Sequence, residues 1–344
     1  MDNQRNVLIV GGGIISFAIA LELQALGLRV TILCRDSAEA ATHAAAGMLA
    51  PQAEEIPPSP MLDLCLLSRS RYPDWIRKLE TLTGMDAGYW DCGIVAPRYS
   101  SVGLARSHLD AVQPGLGAEV SGGYWFPQDA QVDNRSLFQV LWMAAAELGV
   151  EVQTGVNVDA IAHNSEAVTH LQTNQGVWSA NHYILATGAW SQALLPIPVL
   201  PRKGQMLSVQ SPAGLPLQHV LFGEESYIVP RRDGRIVIGA TSENVGFTPG
   251  NTPQGMQTLL AEAIRLFPPL QNLPIQKFWW GYRPATPDEC PILGTSPYKN
   301  LTLATGHYRN GILLAPITGE LIAKLVAQDK VDPLLDAFHW SRFN

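Results

Sequence analysis

The chain has 344 residues and a mass of 37.4 kDa, room for about two domains at roughly 150 residues each, which excludes a peptide ligand or a small disulfide scaffold. Hydrophobic residues make up 47% and charged residues only 15%, below the roughly 25% charged of ordinary soluble domains, so extended disorder is excluded. With 23 Lys and Arg against 30 Asp and Glu the net charge is -7, and with no basic run longer than Arg231-Arg232 neither nucleic acid nor an anionic membrane surface is an expected partner.

Residues 7–10 (VLIV) form an apolar run stopped by glycines, the pattern of a parallel strand buried on both faces. A helix follows, ending near Gly27, and residues 30–33 give a second strand, completing a β-α-β unit. The run 7–20 also has the look of a signal-peptide core. Its leader carries one acid and one base, three glycines interrupt it, and Leu21, Leu23, Leu26 and Leu28 continue it amphipathically, so a strand entering a helix is the reading adopted. No run elsewhere reaches the roughly 18 residues of a membrane span. Cys34, Cys65, Cys92 and Cys290 include no CxxC pair; neither a zinc site nor a disulfide framework is expected, and the reducing cytoplasm is the expected compartment.

Further along, PPSP at 57–60 marks a loop, 62–82 reads as a helix, and 112–130 is rich in Gly and Pro without a period. Residues 136–148 read as a helix, 150–158 as strands around Gly155, and 182–186 as a buried strand stopped by Thr187-Gly188. The segment 226–241 (SYIVPRRDGRIVIGAT) is a hairpin in which Asp233-Gly234 supplies the positive φ angles of a tight turn, implying an antiparallel sheet separate from the first. A last buried strand at 301–304 precedes a helix over 311–326.

Residues 11–16 (GGGIIS) match G-x-G-x-x-G with Ser16 in the third glycine position, between a strand and a helix. Gly11 permits the tight turn, Gly13 lets backbone approach a pyrophosphate, and the helix N-terminus offers free N–H groups. The alternative, a glycine-rich turn without a ligand, is disfavoured by the β-α-β context. The acid expected about 20 residues on is missing: the second strand ends in Cys34, then Arg35 and Asp36. Either backbone holds the ribose or Arg35 accommodates a 2′-phosphate, and Cys34 is a cofactor neighbour or a buried structural cysteine.

Four more segments, THAAAGM (42–48), ILATGAW (184–190), FWWGYRPATPDECPILG (278–294) and TGHYRNGILLAP (305–316), together with GGGIIS resemble the D-amino-acid oxidase family of FAD enzymes, most closely its glycine-oxidising branch. The resemblance spans essentially the whole chain. It implies an α/β fold: a Rossmann-like FAD-binding domain, discontinuous over 1–80, 130–195 and 285–344, and a substrate domain built on an antiparallel sheet over 81–129 and 196–284. Ile14 and Ile15 would lie along the pyrophosphate, Cys34 and Arg35 near the adenosine, Val158 at the adenine, and Thr42 with Ala46, Gly47 and Met48 near the flavin. Thr187, Gly188 and Trp190 would also adjoin the cofactor. The run His307, Tyr308, Arg309, Asn310, Gly311, Ile312 and Leu313 would wrap the flavin, where a helix N-terminus suits the negative charge of the reduced ring.

Arg283 and Arg309 match family arginines that meet an amino acid's carboxylate, and Tyr227 a tyrosine of the same pocket. A guanidinium fork binds a carboxylate through two parallel hydrogen bonds and so fixes its orientation. Each arginine alone also reads as an ordinary ion pair, and Tyr227 as a sheet tyrosine. The resemblance implies non-covalent FAD, since the family's covalent cysteine position falls at Gly281. It further implies oxidation of glycine, with sarcosine and small D-amino acids as secondary substrates, by O2 to glyoxylate, ammonia and hydrogen peroxide. The imine would feed a thiazole synthase, and the chain would assemble as a homotetramer. The rivals are a sarcosine oxidase or quinone-linked D-amino acid dehydrogenase, an NADP-dependent reductase, and a non-catalytic FAD-binding subunit.

Overall fold

The computed structural model describes residues 6–343 apart from 213 and 216; the leader at 1–5 lies outside the described residues. Strand β1 (Asn6–Val10) runs parallel to β2 (Arg29–Cys34) on one side and to His182–Leu185 on the other. Glu151–Thr154 extends the sheet beyond β2, and Leu301–Thr305 beyond His182–Leu185. The sixth strand, Ile292–Thr295, is an antiparallel edge. The apolar run follows from this central position: Val7 and Ile9 enter a core shared with helices, while Leu8 and Val10 enter a second core with residues of a three-stranded sheet beginning at Val158–His163.

Helix α1 (Ile14–Ala25) packs closely against the helix Gly311–Gln328. Gly319 makes that approach possible, since a Cβ there would sit 2.8 Å from the Ala18 carbonyl oxygen. Contrary to the sequence expectation, the 18 residues of Gly311–Gln328 do reach membrane-spanning length and apolarity. Most of this helix is buried between α1 and the helix Pro60–Thr83, so its apolarity is that of a core element. Its interior Pro316 has no N–H to give to Ile312 four residues earlier. The Tyr72 hydroxyl donates to that carbonyl instead, at 2.6 Å, and Ser68 donates to the Leu313 carbonyl at 2.6 Å.

The second sheet has eight strands, with Ile275–Ala285, Leu200–Gln210, Arg235–Gly239 and Tyr227–Pro230 forming an antiparallel succession. The other four are Val220–Phe222, Ile94–Arg98, Gly122–Phe126 and Leu104–Ala105. The pairing of Val220–Phe222 with Ile94–Arg98 is parallel, an exception to the antiparallel expectation. Gly122–Phe126 lies in the stretch that showed no period. Its glycines carry no alternation, and Gly123 (φ +150) is required because a Cβ would fall 2.3 Å from the Ala96 carbonyl oxygen. The 226–241 hairpin is present, but its turn is wider than a two-residue Asp-Gly turn: the Gly234 N–H reaches the Arg231 carbonyl at 3.0 Å, and only Gly234, at +82°, has positive φ within the loop.

Candidate functional site

A cavity of about 820 Å³ takes its walls from both sheets. At one end lies the glycine loop. Gly11 (φ +132) passes the Ala186 carbonyl so closely that a Cβ would be 2.3 Å from the oxygen, and a Cβ on Gly12 would meet Cys34 Sγ at 2.1 Å. Helix α1 begins here without a side-chain cap and without an acid in its first turn. Thr42 Oγ1 accepts the Ile14 N–H at 3.0 Å. The helical ladder starts at the Phe17 N–H, 3.3 Å from the Gly13 carbonyl, so the Ile15 and Ser16 N–H groups have no helical partner and favour an anion. Ser16 is fully buried, and its Oγ is unpartnered among the described residues.

Past the second strand, Asp36, two residues beyond Cys34 in the sequence, lines the cavity together with Glu39, which the sequence did not single out. Asp36 caps the short turn Ser37–Glu39 by accepting the Ala38 N–H at 2.8 Å, and Glu39 pairs with Arg35. The Arg35 guanidinium also stacks 4.7 Å over the Trp190 ring, so its charge and one face are engaged, against the 2′-phosphate alternative. Cys34 does not line the cavity. It is buried beneath Gly12, and burial pushes its thiol up to about 11, a packing role rather than the expected contact with adenosine.

Among the other expected cofactor residues, Val158, Thr187, Gly188, Trp190 and the 46–48 segment line the cavity. The 46–48 segment is clamped from behind by buried Arg231, which donates to the Ala46 carbonyl at 2.6 Å, to the Val132 carbonyl at 3.2 Å and to Gln131 Oε1. Burial lowers the Arg231 pKa to about 10, with Asp133 opposing. The sequence singled it out only as part of the longest basic run. His307 lines the cavity and is neutral, since burial pushes its pKa down to about 3; its Nε2 lies 3.2 Å from Thr318 Oγ1. Tyr308, Arg309, Gly311 and Ile312 also face the cavity, where Gly311–Gln328 begins with no side-chain cap and no acid in its first turn. Asn310 and Leu313 stand one layer behind: Asn310 is the helix N-cap residue and Leu313 belongs to the core, because a helical turn cannot present every residue to one side.

At the other end Arg283, Arg309 and Tyr227 come together. The Arg283 guanidinium lies across Gly204, where a Cβ would be 2.5 Å from Nη1, and it donates to the Thr241 carbonyl at 3.1 Å. The Tyr227 ring covers Gly239, and its hydroxyl sits 3.9 Å from Met206 Sδ. Burial raises the Tyr227 pKa while Arg283 pulls it down. Arg309 is exposed, its guanidinium 5.3 Å from the centre of the Tyr308 ring. Glu54 lines this end as well and went unnoticed in the sequence, where it is one of two adjacent acids before a proline-rich loop. Burial lifts its carboxyl to about 7 against the pull of Arg309 and Arg283. At Gly281 a Cβ would meet Ala44 Cβ at 2.3 Å, so the backbone there abuts the 41–44 helix.

A family model described as FAD dependent oxidoreductase matches residues 6–325. The bifunctional protein ThiO/ThiG of Trichormus variabilis is 58% identical over 98% of this chain and 55% of its own length. The glycine oxidase of Geobacillus kaustophilus is 34% identical over 95% of this chain and 94% of its own. The crystal structure of glycine oxidase from that organism superposes with a TM-score of 0.93 at 32% identity, covering 98% of this chain and 99% of that one. The chain therefore spans about half the length of the bifunctional relatives and nearly all of the glycine oxidases.

Proposed function

Because this chain belongs to the D-amino-acid oxidase family of FAD-dependent oxidoreductases, we propose that it oxidises glycine with O2 to the imine and hydrogen peroxide. The observation that carries the reading is one continuous cavity with a dinucleotide loop at one end and Arg283, Arg309 and Tyr227 at the other. FAD is the cofactor, and the residues present fit it: glycines 11–13 line the cavity, a Cβ on Gly11 or Gly12 would strike the Ala186 carbonyl or Cys34 Sγ and push the loop out of place, and the starts of α1 and of Gly311–Gln328 lie on the cavity with no acid in their first turns. Bound FAD supplies the acceptor for a hydride and hands the electrons to oxygen. The chain's part is orientation. Arg283, anchored through Thr241, holds the carboxylate and so fixes its orientation in the cavity. Sarcosine and small D-amino acids keep the carboxylate and are expected as secondary substrates.

The ThiO/ThiG relatives support the further reading that the imine is handed to a thiazole-forming partner, hydrolysing to glyoxylate and ammonia when it is not. Non-covalent FAD is supported by the tight contact at Gly281. The division into an FAD domain and a substrate domain, the cytoplasmic location and the homotetramer belong to the same proposal. Exposed Ile275, Phe278 and Trp280 on an edge strand support an interface between copies. The test is a peroxide-coupled assay of the flavin-loaded protein against glycine, sarcosine, D-alanine and D-proline. Peroxide from glycine at efficiency comparable to or above the D-amino acids is expected; flavin bleaching without peroxide would replace the oxidase with a dehydrogenase.

A further inference from the structure

The turn at residues 50–55 is held more firmly than a surface connection needs. Asp129, fully buried, accepts the N–H groups of Gln52 at 3.2 Å and Ala53 at 2.9 Å, and is itself bound by Arg69. Arg69 also donates to Gln52 Oε1 at 2.7 Å, and the Glu54 N–H closes the turn onto the Ala50 carbonyl at 2.9 Å. Beyond it Glu55, in the left-handed region at φ +53, reaches outward to Arg98 at 2.6 Å. The two adjacent acids are thus sent in opposite directions: Glu55 to an ion pair outside, Glu54 into the cavity.

Inside, Glu54 shares the cavity wall with Arg309 from the turn before the last helix, Arg283 from Ile275–Ala285 and Tyr227 from Tyr227–Pro230, and Asn310, Cys65 from Pro60–Thr83 and Asp129 behind the turn lie within electrostatic range of it. Neither arginine closes a salt bridge onto it among the described residues, while all three groups line the cavity a substrate would enter. A substrate carboxylate is attracted by the arginines and repelled by Glu54. What complements Glu54 in the same molecule is its positively charged amino group.

Resting on the amino acid oxidation proposed above, we infer that Glu54 receives a proton from the substrate's ammonium group and thereby makes the site discriminate amino acids from other carboxylates. An N–H bond of the ammonium breaks and an O–H bond forms on Glu54. Ammonium and carboxylate become neutral amine and carboxylic acid, with no change in total charge. The lone pair released on nitrogen is what loss of hydride from Cα requires. Proton and hydride together supply the two hydrogens of the peroxide, so the overall reaction balances with O2 as oxidant. Burial and the two arginines leave the Glu54 carboxyl at about 7, close to the working pH that suits a general base.

The experiment compares the wild-type holoenzyme with Glu54→Gln, which keeps shape and removes the base. Two quantities are read: acetate affinity, from the shift of the flavin absorbance, and kcat/KM for glycine across pH. Acetate carries the carboxylate without the amine. The expected result is acetate binding that is unchanged or tighter in Glu54→Gln, with glycine kcat/KM lower by about 100-fold or more. The wild-type acidic limb near pH 7 should disappear with it. Glu54→Asp, which retains a carboxylate, should restore part of the rate and the limb. Glycine turnover within threefold of wild type would overturn the inference, and so would parallel loss of acetate binding and turnover, the signature of a merely structural residue. A wild-type protein that binds acetate but oxidises no amino acid would fail earlier, refuting the proposed function and this inference with it.

Discussion

Replacing Arg283 with methionine preserves most of the apolar stem and removes the guanidinium. Since one donor of the fork is committed to Thr241, the remaining N–H groups are those available to a bound carboxylate. Losing charge-assisted hydrogen bonds in this half-buried position costs about 2 to 4 kcal/mol, which corresponds to roughly 30- to 1,000-fold in kcat/KM. Arg309 stands exposed on a loop and rests on Tyr308, so Arg309→Met should cost only about 0.5 to 1 kcal/mol, or roughly two- to fivefold. The assay is peroxide release from glycine over a range wide enough to separate kcat from KM, with most of the Arg283→Met effect expected in KM. Unchanged kinetics in Arg283→Met would refute the anchor. A larger loss in Arg309→Met would transfer the anchor to the loop.

Tyr72→Phe strips the donor that replaces the missing Pro316 N–H, leaving the buried Ile312 carbonyl unpaired; thermal unfolding should show a loss of about 1 to 3 kcal/mol, and an unshifted Tm would disprove that compensation. Arg231→Met deserts the Ala46 and Val132 carbonyls and leaves Asp133 with less positive charge nearby. A loss of about 3 to 5 kcal/mol is expected, together with FAD release measured by fluorescence after gel filtration; a variant that keeps both Tm and FAD removes the clamp from the account. His307 predicts an acid sensitivity. Its folded pKa, about 3, lies below its ordinary 6.5, so its contribution is fully present above pH 6.5 and is lost as pH falls toward 3. His307→Asn should flatten the dependence of unfolding free energy on pH across that window, and an unchanged slope would mean His307 is not the group responsible.

The chain's local signals were legible wherever one residue's physics sufficed. A run of four apolar residues cannot sit half-exposed, so 7–10 announced a central strand, and GGGIIS after it announced a turn that admits no side chain. Ordered motifs carried the family and the arginine pair. What only the tertiary structure decided depends on atoms far apart in sequence. Of the two roles open to Cys34, the packing of its sulfur beneath Gly12 selects the buried structural one, and the strand at 122–126 exists because Gly123 lets Ala96 approach. The apolar helix at 311–328 looks fit for a membrane until α1 and the helix at 60–83 cover it. Glu54 illustrates the same limit at the site: an acid in a loop has no periodicity to read. Its burial, the arginines opposite it and the Asp129 lock beneath it come from segments more than 70 residues distant, which folding alone brings within range.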